Sequence, residues 1–230
     1  MTTPQVQPTG DIVLSGLRNL KMASLLQIVS SLLMGIPAII LIGAFMDAFF
    51  SLNPGAIIRT SIFWFFLLFA GIILAAISIY VFLLRSGNQF ASQNPEKFST
   101  PVKLIKIGYL GGAIAMLLGN LIIILGIAYI VISHRLEAFG IVGIATLVGL
   151  VLFGIGFLLS FIGFIGLMIY FFGLSDMFNS TLFLVAAIFT LISMFIPITG
   201  FVAWILVFIE TDTLEKKLVS QPPPPPPPPI

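Results

Sequence analysis

The side chains able to do chemistry inside the apolar stretches of this chain are few and neutral. Gln27 and Ser31 lie in the first stretch with Ser24 and Ser30, Asn120 lies near the centre of the third, and Thr190, Ser193 and Thr199 surround Pro197 in the last. These groups donate and accept hydrogen bonds but carry no charge, so they suit contact with a polar solute better than acid–base or nucleophilic work. In hydrocarbon each needs a partner, which turns it towards a bundle interior. Gln27, Ser31, Asn120, Thr190 and Ser193 are therefore the candidates for a polar path, and transporters place such sites at interrupted helices. The competing reading is that they only join one helix to the next. Pro197 removes a backbone donor and frees the carbonyl of Ser193, predicting a kink or an opened turn; Pro37, after Gly35, predicts a similar break in the first stretch.

Ionisable residues are nearly absent from the centres of these stretches. Asp47, Lys106 and Glu210 sit close to their ends, where they can reach an interface. His134 stands beside Arg135 and Glu137 without the further ligands that a metal site requires, and reads as an interfacial cap. There is no cysteine, and no catalytic triad, HExxH or phosphate-binding glycine loop is present. The expectation is a protein that is not an enzyme and needs no cofactor or metal.

Hydrophobic residues make up 59% of the chain and charged ones 8%. An ordinary soluble domain has roughly 25% charged residues, so lipid is the expected solvent. The net charge of +2 is too mild to point to nucleic acid. Five spans are expected, at about 22–50, 61–84, 104–133, 139–172 and 181–209, since about 20 apolar residues suffice to cross a bilayer. They form an all-α polytopic bundle over 11–210, between a disordered stretch 1–10 and a polar and polyproline tail 211–230. Arg18 and Lys21 precede the first run, which exceeds a signal-peptide core and reads as a retained signal anchor. Residues 11–21 could form an interfacial amphipathic helix or feed directly into it. Trp64, Tyr80, Tyr109, Tyr129, Tyr170 and Trp204 fall near the expected span ends, as an aromatic belt would.

The long fourth span leaves six helices as the alternative, if it is a tight pair. With five, Arg18, Lys21, Arg85, Lys97, Lys103 and Lys106 share the amino-terminal side, against Arg59, Arg135, Lys216 and Lys217. With six, Lys216 and Lys217 change sides. Either count places the amino terminus in the cytoplasm of a multi-pass cell-membrane protein, and the segment from Arg85 to Lys103 reads as a cytoplasmic loop.

Glycines mark the expected helix contacts. Gly108, Gly112, Gly119 and Gly126 share one face of the third span, and Gly149, Gly156 and Gly163 one face of the fourth. Small residues let backbones approach in lipid, where there is little hydrophobic drive between helices. Their average period of 3.5 residues predicts a left-handed crossing in a glycine-zipper hairpin. Pro222–Pro229 predicts a polyproline II rod near 25 Å long, either a spacer or a ligand for a polyproline-binding partner.

Two stretches carry a family resemblance: LRNLKMASLLQIVSSLL at the start of the first span, and the block from Ile155 to Ile209 containing FIGFIGLMIYFFGLSDMFNSTLFLV and PITGFVAWILVFI. Both resemble an uncharacterised family of archaeal multi-span membrane proteins typical of thermoacidophilic Thermoproteota, a domain of unknown function. The likeness lies in the LK entry, the glycine-spaced late spans, a Gly-x-x-x-x-x-Asn-like link, the proline in the last span and the proline-rich tail. Phe171, Phe172 and Phe178-Asn179 stand where that family often carries an Arg and a Tyr-Asn pair. The resemblance implies no activity; a tetraether membrane would give one reason for long spans. The role expected is a structural or accessory component of a membrane assembly, in contact with the lipid bilayer and another membrane protein. The alternative is a small transporter or channel subunit with a path lined by spans one, three and five.

Overall fold

The computed structural model describes residues 9–51, 54–133 and 138–220. Among the described residues every regular element is helical, as a lipid solvent demands of a backbone that must satisfy its own amides. Helix α1 runs Thr9–Ser51, so the amphipathic entry and the first span are one helix, and Pro37 lies inside it without ending it. The second rod is continuous through three pieces: α2 at Pro54–Ile77, a π-helical turn at Ser78–Leu83, and α3 at Leu84–Gln93. Helix α4 spans Pro95–Ser133, α5 Ala138–Phe178, α6 Thr181–Ile192 and α7 Pro197–Ser220. Expected disorder at 9–10 gives way to the first turn of α1. The remainder of that stretch, residues 134–137 with His134, and the polyproline run lie outside the described residues.

Five helical segments are long and apolar enough to cross a membrane: Gly10–Ala44, Phe66–Gln93, Pro95–Gly126, Gly143–Phe178 and Pro197–Ser220. The fourth expected span is one unbroken helix of 41 residues, so the six-helix alternative finds no break there. The stretch 181–209, expected as a single span, requires correction. It is divided between α6 and α7, and the chain reverses between them. Ser193, Met194 and Phe195 form a tight turn, and Ile196 stands before Pro197, where the proline ring disfavours helical geometry. Pro197 then opens α7, a position where its missing N–H costs nothing. The Thr199 hydroxyl donates to the Phe189 carbonyl at 3.2 Å. In a continuous helix ten residues span about 15 Å, so α6 and α7 are the two arms of a hairpin.

The four other rods, α1, the α2–α3 rod, α4 and α5, are each near 60 Å long at 1.5 Å per residue, about twice the ~30 Å hydrocarbon core. Their surplus gathers at one end as a head that holds most of the fully buried side chains, among them Leu20, Phe90, Phe98, Tyr170, Phe171 and Phe183. The 85–103 segment belongs to this head as helix, not as loop. Asn94 alone separates α3 from α4, and its side chain caps α4 by accepting from the Lys97 N–H at 3.2 Å. At the turn from α5 to α6, Asn179 adopts φ 48° and Ser180 caps α6. Away from the head the rods pair as two arms, α1 along α2 and α4 along α5. Large apolar side chains cover the outer faces, with Ile39 at 73% and Leu117 at 70% exposure.

Candidate functional site

Within the first arm a row of polar contacts fixes register. The Ser86 hydroxyl donates to the Gly16 carbonyl at 2.8 Å, Ser78 to Ala23 at 2.7 Å, the Gln27 amide to Ala75 at 3.4 Å, and Ser30 to Gly71 at 2.9 Å. From Gly16 to Ala23 is seven residues, whereas from Ser78 to Ser86 is eight. The π turn absorbs the extra residue: the Leu84 N–H bonds back five residues to Ile79. Both serines therefore face α1 despite a spacing that an α-helix would rotate out of line by about 80°. Ser86 also meets the Tyr170 hydroxyl at 2.9 Å, tying the first arm to the second within the head.

Within the second arm, α4 and α5 approach backbone to backbone. A Cβ placed on Gly108 would collide with Gly163, and one on Gly112 with Ser160. A Cβ on Gly119 would stand 2.6 Å from the Gly149 carbonyl, and one on Gly156 2.8 Å from that of Gly112. Gly126 is buried further along α4.

The hairpin closes the space between the arms where they begin to part. Its tip, α1, the second rod, α4 and α5 enclose a cavity of about 160 Å³, lined among others by Gln27 and Ala75, by Tyr109 of α4 and Phe164 of α5, and by Thr190, Ser193 and Trp204 of the hairpin. Three of the five polar candidates thus come together: Gln27, Thr190 and Ser193. Thr190 donates to the Ala186 carbonyl at 2.8 Å and Ser193 to that of Thr190 at 2.7 Å, each within its own helix region. Gln27 is 7% exposed, and its amide makes one long bond to Ala75. Ser31 lies beside the site, donating to the Gln27 carbonyl at 2.7 Å. Asn120 does not join it. Its amide is on an exposed face of α4 and donates to the Met116 carbonyl of its own helix at 2.9 Å, which satisfies it without a neighbouring helix.

Two lining residues, Tyr109 and Trp204, were expected in an aromatic belt. Trp204 is half-buried and packs edge-on against Phe171, ring centres 5.5 Å apart. Tyr170, also expected there, is fully buried in the head. The signal that could have revealed the hairpin is Gly200, three residues after Pro197, where the absence of a side chain admits Ser193.

At the head, the Lys21 ammonium bonds Asp212 at 2.6 Å and Glu215 at 3.1 Å, and Arg18 bonds Glu215 at 2.9 Å. The start of α1 and the end of α7 therefore lie together. No curated protein and no solved structure matches the chain. The family described as "Protein of unknown function (DUF973)" matches residues 13–228. The match takes in all but the extreme ends, and the chain belongs to that family.

Proposed function

We propose that this chain is a multi-pass protein of the cell membrane, archaeal as the resemblance implies. Its amino-terminal end lies in the cytoplasm, and it serves without catalysis as an accessory or structural component of a membrane assembly. The observation that carries this reading is the pair of apolar arms, joined at the head and hairpin and open elsewhere, which offer long faces to lipid and to a neighbouring membrane protein. Orientation is supported by charge. The hairpin returns Lys216 and Lys217 to the side of Arg18 and Lys21, which leaves eight basic residues on that side against Arg59 and Arg135 on the other. Pro222–Pro229 would then extend into the cytoplasm as a ligand for a polyproline-binding partner.

The test uses the absence of native cysteine. Phe66→Cys and Leu117→Cys, on the outer faces of the two arms, are treated in native membranes with a lipophilic bifunctional maleimide. One discrete protein adduct of defined mass is expected; products with lipid alone would overturn the reading. A second reading, a small transporter, is favoured by the cavity at the broken hairpin, since solute sites occur where helices are interrupted. Solute flux in proteoliposomes, abolished by Gln27→Leu, would select it.

A further inference from the structure

The cavity beneath the hairpin tip combines burial, polarity and neutrality. Gln27 is more than nine-tenths buried and lines it, yet its side-chain oxygen has no hydrogen-bond partner among the described residues. The Tyr109 hydroxyl and the Trp204 indole N–H, both half-buried, also line it and make no hydrogen bond among the described residues. The Gln27 oxygen, buried and left this way, costs about 1–3 kcal/mol unless something else satisfies it. None of the lining side chains is a carboxylate, an ammonium, a guanidinium or an imidazole. A charged occupant would therefore lie without a counter-ion in a low-dielectric site.

We propose that this cavity binds the uncharged polar head of a membrane-soluble amphiphile, of about the size of a phenol ring. Size sets the first limit: a cavity of ~150 Å³ is known to hold benzene, and this one is about 160 Å³. Hydrogen bonding sets the second. Gln27 offers an acceptor and Trp204 a donor, while Tyr109 can act as either, so a head bearing a hydroxyl or carbonyl group satisfies atoms that a hydrocarbon would leave unpaired. Access sets the third. An adjoining pocket of about 240 Å³, lined by Phe157, Phe161 and Met194, shares Tyr109 and Phe164 with the cavity. That pocket is apolar and lies at the hairpin tip, where a hydrocarbon tail can pass from the lipid. The site has the usual make-up of a ligand pocket in a helix bundle: mostly apolar walls with a few convergent polar groups. It stands whether the chain acts as an accessory component or as a transporter.

Trp204 provides the readout. The full chain carrying Trp64→Phe, so that Trp204 is its one tryptophan, is reconstituted in nanodiscs and titrated with 4-bromophenol, whose bromine quenches indole fluorescence. Bromobenzene and 4-bromobenzoate are titrated in parallel. Saturable quenching is expected with 4-bromophenol, about tenfold tighter than with either control, and Gln27→Leu should weaken it about tenfold. Ala75→Leu, which fills the cavity and leaves Gln27 in place, should abolish saturation while the helical circular-dichroism spectrum is kept. Quenching that rises linearly without saturating, equal affinity for bromobenzene, or saturation that survives Ala75→Leu would each overturn the proposal.

Discussion

Ser193 and Gly200 meet across the turn between α6 and α7, where a Cβ on Gly200 would stand 3.1 Å from that of Ser193. Seven residues of continuous helix would separate them by about 10.5 Å. The contact therefore requires the chain to double back, and α7 ends beside the start of α1. Cysteines placed at Ser92 and Val219 should react with a membrane-impermeant maleimide from the same side, and one at Arg59 from the opposite side. Labelling of Ser92→Cys and Val219→Cys from opposite faces would show that the last 40 residues cross the membrane.

The close approach of α4 and α5 gives glycine substitutions opposite signs. At Gly163 a methyl group would lie 2.9 Å from the Tyr109 backbone nitrogen, whereas at Gly154 it would meet nothing within 4 Å. Gly163→Ala should destabilise the chain by about 1–3 kcal/mol, the usual cost of overpacking. Gly154→Ala should be neutral or stabilising by up to about 1 kcal/mol, because alanine is the better helix former. Denaturation in mixed micelles, followed by circular dichroism, would compare the two.

Ser86 and Tyr170 should behave as one unit. Tyr170→Phe leaves Ser86 its bond to Gly16, while Ser86→Ala strips the buried Tyr170 hydroxyl of its partner. Each change is expected to cost about 1–3 kcal/mol, with the serine change the larger. The double mutant should cost less than the sum of the two. Full additivity in thermal denaturation would show that the bond carries no coupling.

The π turn makes an unusual forecast about deletion. Removing Val81, an exposed residue within the turn, leaves Ser78 and Ser86 seven positions apart, which matches the spacing from Gly16 to Ala23 on α1. An uninterrupted α-helix then presents both serines to the same partners. The deleted chain should melt within about 4 °C of the parent. Removing Ile73, equally exposed in α2, rotates the contacts on one side of the deletion by about 100°, and the resulting chain should not give a monodisperse species on size exclusion.

Asn120 should tolerate replacement. Its amide is spent on its own helix and faces outward. Asn120→Leu should change stability by no more than about 0.5 kcal/mol and leave 4-bromophenol quenching of Trp204 unchanged. A large loss in either measurement would mean that a neighbouring chain uses this residue.

The sequence made the long helices legible because apolar length alone specifies them. Glycine spacing on α4 and α5 likewise marked the faces that the structure places together at Gly108–Gly163 and Gly119–Gly149. The reversal at Ser193 was harder to read. A proline within an apolar run signals a break, but the angle of that break depends on Gly200 accepting Ser193 and on the arms enclosing the tip. The 85–103 segment misled for the opposite reason. Its polarity resembles that of a loop, although Phe90 and Phe98 at its apolar positions bury completely against Tyr170. For the cavity, Gln27, Thr190 and Ser193 were visible as polar residues in hydrocarbon. Asn120 shared that chemistry, and only the direction of its helix face separates it from them.

The turn at Ser193–Ile196 also bears on biogenesis. Its backbone is largely closed on itself, with the N–H groups of Ser193, Met194, Phe195 and Ile196 donating back to the last carbonyls of α6, as a turn at membrane depth requires. What the hairpin takes from the rest of the chain is its buried face, Phe183, Ala187 and Val207, so the four earlier rods must stand together before α6 and α7 can settle. Synthesis from the amino end supplies that order, and the segment that locks the two arms arrives last.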